Sequence, residues 1–250
     1  GSQDAEEVLP SPAHLPASLD LPPFGSTFVG REVERAELAE MLAQPDCRLV
    51  TLFGPGGIGK SRLALQVAAE HLGVFKDGVT FVSLAHIDMV EHVVPAIASS
   101  LGIAFHGDQD LQAQLIGYLR QREHLLVLDN VEHILECTLF LSLLLQQASG
   151  VILLVTSRER LNLREERVYR VSGLAYPKDD ELPQCPFYGA VELFSRHARR
   201  ASPHFVLDQK TLPYVVHICQ LVEGMPLAVE LAAAWVGVRS CAEIAQKIGR

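Results

Sequence analysis

An apolar run, Arg48-Leu49-Val50-Thr51-Leu52-Phe53, leads directly into Gly54-Pro55-Gly56-Gly57-Ile58-Gly59-Lys60-Ser61, and Lys60 to Leu72 then contains neither Gly nor Pro. Strand, glycine-rich turn and helix in that order fit the loop G-x-x-x-x-G-K-[ST], which works only at the carboxyl end of a buried strand. The physical reason lies in the backbone. Gly54, Gly56, Gly57 and Gly59 allow successive N–H groups, with those of Ile58 and Arg62 beside them, to turn inward around phosphate oxygens. Lys60 can reach the β and γ phosphates, the Ser61 hydroxyl can ligate Mg2+, and the helix N-terminus adds its positive end.

The rest of the chain repeats the alternation that such a loop needs. Strands are predicted at Val79 to Leu84, His124 to Asp129, Val151 to Thr156 and Val168 to Val171, with helices at Glu34 to Ala43, Asp88 to Leu101, Asp110 to Arg122 and Cys137 to Gln147. Leu125-Leu126-Val127-Leu128 and Val151-Ile152-Leu153-Leu154-Val155 are apolar at every position, as strands covered on both faces must be. The fold class expected is therefore α/β: a three-layer nucleotide-binding domain with a parallel sheet over residues 24–173. Beyond Leu174 only helical periodicity appears, so residues 174–250 should form a small helical domain, with Gly224 ending one helix and Pro226 starting the next, Leu227 to Val236. Residues 1–23 hold five prolines and no periodicity, and read as a linker.

Composition narrows the partners. A net charge of −9 argues against direct nucleic-acid binding by this segment, and Arg196, Arg199 and Arg200, the dense basic cluster, read as a solvated helix end. No uninterrupted apolar stretch is long enough for a membrane span. Five widely spaced cysteines without a C-x-x-C pair point to reduced thiols and a cytoplasmic setting, and ten histidines without H-E-x-x-H spacing give no zinc site. The chain starts without a secretion signal, and Gly1-Ser2 has the look of a cleavage scar, so a piece of a larger intracellular protein is expected.

Two further residues complete the expected chemistry. Asp129 closes an apolar strand, which puts its carboxylate at the sheet edge where ligands bind and makes it the second Mg2+ ligand with Ser61. Arg158 closes Val155-Thr156-Ser157-Arg158 and reaches the same edge, where its planar charge could register a γ-phosphate; the alternative is a surface ion pair with Glu159 or Glu165.

In this order, Phe28-Val29-Gly30-Arg31-Glu32, Gly54 to Leu63, Leu125 to Ile134, Leu154 to Leu161 and Gly224-Met225-Pro226-Leu227-Ala228 resemble the NB-ARC type of signal-transducing P-loop ATPases, the STAND class. The branch most similar is the bacterial one, in which Asp-Asn-x-Glu-His and Thr-Ser-Arg-Glu follow the second and third strands. The resemblance implies an adenine nucleotide, ATP or ADP, with Val29, Gly30 and Arg31 along its adenine and ribose side, and Pro226 and Leu227 packed on it from the helical domain. It implies flanking effector domains, transcription-regulating ones among them, and a winged-helix domain beyond Arg250. One departure stands out: many hydrolysing relatives carry a carboxylate directly after the Mg2+ aspartate, where this chain has Asn130. An amide accepts no proton. Glu132, two residues on, is the remaining candidate to activate water, with a plain helix-start acid as its alternative.

The expectation is a slow ATPase used as a regulatory switch, with nucleotide-controlled domain rearrangement and self-association. A catalytic ATPase or kinase for a small substrate and a scaffold with structural nucleotide are the competing readings, since a fold does not choose among functions.

Overall fold

The structure, a computed structural model, describes residues 28–104, 110–178 and 188–249. The expected linker over residues 1–23 and Cys185 lie outside the described residues. The chain runs α1 (Glu32–Leu42), β1 (Leu49–Phe53), α2 (Lys60–Glu70), β2 (Val79–Ser83), α3 (Val93–Ser100), α4 (Leu111–Leu119), β3 (His124–Asp129), α5 (Thr138–Gln147), β4 (Val151–Ser157) and β5 (Glu166–Arg170). Helices α6 (Gly189–Ala201), α7 (Leu212–Leu221), α8 (Pro226–Ala234) and α9 (Cys241–Ile248) follow.

The five strands pair in parallel in the order β2-β3-β4-β1-β5. Alternate residues explain why the central strands carry no polar face. Leu126 and Leu128 of β3 and Leu153 and Val155 of β4 point to one side, into a core with α3, α4 and α5. Leu125 and Val127, with Leu154, point to the other, against Leu38 of α1 and Leu63 and Val67 of α2. Every position of β3, and every position of β4 except the partly buried Ile152, is therefore buried on one side or the other. At the edge, β5 pairs, among the described residues, with β1 alone, and its polar ends fit an exposed margin. It starts earlier than the apolar residues alone suggest, because the Glu166 carboxylate accepts the N–H groups of Leu161 and Asn162 at 2.9 and 2.8 Å and anchors the turn before it.

Some helices are shorter than their periodicity. The stretch from Asp88 begins as a 3-10 turn at Val90–His92, and the α-helix proper starts at Val93 with Pro95 in its first turn, where its missing N–H has no bond to lose. Asp110 is a cap rather than a helical residue, its carboxylate accepting the Gln112 N–H at 3.1 Å.

A third core lies among α6 to α9, around Phe194, Val215, Ile218 and Ile244. Val29 and Leu174, on either side of the sheet in sequence, pack into it. The helical part is thus anchored to the segments that enter and leave the sheet. Helix α9 carries a capping box in which Ser240 and Glu243 exchange hydrogen bonds at 3.3 and 2.8 Å.

Candidate functional site

Three adjacent strand ends, β3, β4 and β1, deliver the polar residues of the site. Asp129 closes β3, Thr156 is the last residue but one of the neighbouring β4, and Gly54 begins the loop after β1, its N–H donating to Ser157 O at 3.3 Å. The loop turns through Gly57 at φ 77° and Gly59 at φ 92°, the left-handed region that glycine alone enters freely. Lys60 is buried beneath it. Its ammonium donates to Gly54 O at 2.8 Å and Pro55 O at 3.2 Å, so the loop's own carbonyls hold the cation in place. Burial lowers the Lys60 pKa; the Glu132 carboxylate pulls it back up, Arg158 lowers it and Asp129 raises it.

Asp129 is buried and accepts a hydrogen bond from the Thr156 hydroxyl at 2.6 Å, while that hydroxyl accepts the Asn130 N–H at 2.9 Å. Thr156 therefore orients the carboxylate, a role not assigned from the sequence. The signal was present, since Thr156 precedes Ser157-Arg158 and pairs in register beside β3, but strand order was needed to see it. Arg158 does not turn to Glu159 or Glu165. Its Nε lies 3.1 Å from Glu132 Oε1, and its guanidinium lies over Gly56, where an added Cβ would come within 3.2 Å of Nη2.

Helix α8 covers the loop from the other side. The Leu227 N–H donates to Gly57 O at 3.2 Å, and a Cβ on Gly57 would meet the Leu227 side chain at 2.9 Å. Pro226 lies by Gly59, at 3.7 Å from where its Cβ would be. One turn further, Glu230 takes Arg62 at 3.4 Å and His197 of α6 at 3.5 Å. Arg62, expected among the loop's nucleotide contacts, thus also reaches the helical part.

Arg31 is more than a pocket wall. At φ 67° it starts α1, and its buried guanidinium donates to Ile58 O at 2.7 Å and Ser172 O at 2.9 Å and pairs with Glu34 at 3.1 Å. It ties the phosphate loop to the segment after β5 that leads into the helical part. Beside it, Gly30, Leu174, Ala175, Tyr188, Gly189 and Glu192 line a cavity of about 540 Å3. Val29 is buried in the helical core rather than open to that cavity. Ser61 is half-buried in the first turn of α2.

A parallel sheet whose first strand feeds a glycine loop over a buried lysine defines a P-loop nucleotide-binding module. Residues 31–167 match the NB-ARC domain, and the chain belongs to that family. It is 36% identical over 220 residues to the uncharacterized protein Rv0894 of Mycobacterium tuberculosis, covering 88% of this chain and 53% of that protein. It is also 36% identical over 199 residues to a protein of the same organism named "Putative HTH-type transcriptional regulator Rv0890c", covering 79% of this chain and 21% of that one. The chain thus spans about half the length of the first relative and a fifth of the second. Among solved structures, a STAND protein with a tetratricopeptide repeat sensor from Pyrococcus horikoshii matches with a TM-score of 0.51 at 15% identity, over 95% of this chain and 34% of that one. Cdc6p of Pyrobaculum aerophilum matches with a TM-score of 0.54 at 19% identity, over 96% and 66%. At such identities the likeness is one of fold.

Proposed function

We propose that this chain is the ATP- and ADP-binding switch of a larger regulatory protein, a slow ATPase in which the nucleotide's phosphate state sets the angle between the sheet domain and the helical domain. The observation that carries this reading is the roof of the phosphate loop: Leu227 is hydrogen-bonded to Gly57 and Pro226 stands at Gly59, so the loop is shared by both parts. A ligand in a shared loop has different contacts in different domain arrangements, which is the condition for switching.

The residues present fit a nucleoside phosphate and its cation. Gly57 and Gly59 give the left-handed turns of an anion-binding nest, and Lys60 sits under it. Ser61 and Asp129 supply the hard oxygen donors that Mg2+ takes, and the cation, when bound, neutralises phosphate charge. Among the described residues no cluster of three or more His, Cys, Asp or Glu could hold a metal ion, as suits a cation that takes its other ligands from phosphate and water. Thr156 fixes Asp129, Lys60 stabilises negative charge over the loop, and Arg158 is placed to read the terminal phosphate. The cavity beside Gly30 and Arg31, with Leu174 and Tyr188 on its far wall, suits an adenine ring. Val29 supports that wall from behind.

Asn130 stands where a general base would, so turnover should be slow, as a switch requires. Self-association on ATP binding, output through flanking domains and a cytoplasmic setting belong to the same proposal; no described helix is long and apolar enough to cross a membrane. The test is to denature purified protein, quantify the released nucleotide per chain, and follow phosphate release. Retained ADP with turnover far below typical enzyme rates is expected; sustained turnover above about 1 per second without a partner would sink the switch reading.

A further inference from the structure

Glu132 lies in the 3-10 turn Val131–His133 just beyond Asp129, with its side chain 6% exposed. Both of its carboxylate oxygens are buried without a hydrogen-bond partner. A carboxylate taken out of water needs compensation. Arg158 supplies charge but not a hydrogen bond: its Nε is 3.1 Å from Oε1, off the line that a hydrogen bond requires. Lys60 feels the same carboxylate but donates to Gly54 O and Pro55 O. Arg158 is 57% exposed, and its guanidinium lies against Gly56 at the mouth of the loop. Among the described residues it is paired with Glu132 at imperfect geometry, and it stands beside the place where a terminal phosphate would offer charge-assisted, bidentate bonds.

We propose that Glu132 and the terminal phosphate of a nucleoside triphosphate compete for Arg158, which makes Glu132 a determinant of the discrimination between triphosphate and diphosphate. This rests on the switch reading above. With diphosphate in the loop, Arg158 stays on Glu132 and the carboxylate is neutralised. With triphosphate, Arg158 turns to the phosphate and leaves Glu132 open to a water molecule. In the hydrolysis that follows, the water oxygen bonds to the γ-phosphorus and the bond from that phosphorus to the β–γ bridging oxygen breaks. ADP leaves with the electron pair, and the water proton passes to a Glu132 oxygen and then to phosphate or solvent. Arg158 thereby masks the base until the substrate that needs it has arrived.

Competition has a signature that a base alone lacks. Removing the charge of Glu132 frees Arg158, so Glu132→Gln should bind the triphosphate more tightly relative to ADP while losing hydrolysis. The measurement is the affinity of this chain, with Mg2+, for ADP and for adenylyl imidodiphosphate, a triphosphate analogue that is not hydrolysed, in wild type, Glu132→Gln, Arg158→Ala and the double variant. The ratio of analogue to ADP affinity is expected to rise about two- to fivefold in Glu132→Gln, the range of a half-exposed ion pair. It should fall in Arg158→Ala, and the double variant should show no rise over Arg158→Ala. A rise that persists in the double variant would mean simple charge repulsion and overturns the competition. So does an unchanged ratio in Glu132→Gln with a lowered one in Arg158→Ala, which spares the sensing role of Arg158. An unchanged ratio in Arg158→Ala removes the sensing role itself. Glu132→Asp, which keeps the charge and lengthens the pair, guards against loss of fold and should give a smaller rise; loss of both nucleotides in both Glu132 variants overturns the proposal.

Discussion

Gly224 sits at φ 64°, and a Cβ there would lie 2.0 Å from Leu174 O. Left-handed backbone and backbone overlap both exclude a side chain, so the glycine of Gly224-Met225-Pro226 is required by close approach as well as by helix ending. The Gly224→Ala variant should lose about 2–4 kcal/mol in urea denaturation, and a loss below about 0.5 kcal/mol would show that the two segments part easily. At Thr156 the expectation concerns binding. Thr156→Val removes the hydroxyl that holds Asp129 and leaves the Asn130 N–H without its acceptor; it should weaken Mg-ATP binding more than Mg-free ADP binding, by about fivefold or more. Equal weakening of both would make Thr156 a packing residue. His124 carries a pH dependence. Its Nδ1 faces Asp77 O at 2.9 Å, and a carbonyl only accepts, so Nδ1 holds the proton and Nε2 accepts from the Thr80 hydroxyl at 2.9 Å. Burial lowers its pKa, with Asp77 raising it and Arg122 lowering it. Above the unfolded value near 6.5 the folded and unfolded chains bind the same protons at this site. Below it the unfolded chain takes a proton that the folded one resists, so stability falls with pH at up to about 1.4 kcal/mol per unit, until the folded pKa is passed. His124→Asn should decline less steeply than wild type below pH about 6.5, and parallel curves would refute the assignment.

Helix α8 is the element on which the site turns, because its first residues roof the loop and its next turn offers Glu230 to Arg62 and His197. These are partly exposed pairs, so Glu230→Ala should change stability by less than about 1 kcal/mol while speeding ADP release about two- to fivefold. Stopped-flow displacement of fluorescent ADP measures it, and an unchanged rate would place the closure elsewhere. How legible such elements were depends on what determines them. Strands β3 and β4 were readable to within a residue, since two covered faces leave an unbroken apolar run. The loop was readable because its chemistry is local. Helix α9 went unread although Ser240-Cys241-Ala242-Glu243 spells its capping box. Strand order, the partner of Arg158 and the hold of Thr156 on Asp129 could not be read, because each depends on β4 lying between β3 and β1, which no local pattern encodes. Arg31 showed its position but not its task, since its acceptors, Ile58 O and Ser172 O, are far away in sequence.

At the scale of the molecule, the sheet's two cores and the helical core meet, among the described residues, through the Val29 and Leu174 segments and the roof of the loop. A nucleotide that bridges loop and roof should therefore join two cooperative units into one. The chain carries a single tryptophan, and it reports on one of them: Trp235 follows α8, 44% exposed, with Arg239 and Lys247 about its ring at 6.0 and 5.8 Å. Its fluorescence follows the helical part, whereas far-UV circular dichroism follows the whole. A ligand that binds only the folded state stabilises it by about 2.7 kcal/mol at a hundredfold excess over Kd, which for a domain of this size raises Tm by about 5–10 °C. With ADP both signals should shift together by that amount. In Lys60→Ala, whose loop has lost its central cation, neither should shift. A dichroism transition that rises with ADP while the Trp235 transition stays where it was would mean that nucleotide stabilises the sheet domain alone. In that case the helical domain could not read the phosphate state, and the molecule would be a nucleotide-binding scaffold rather than a switch.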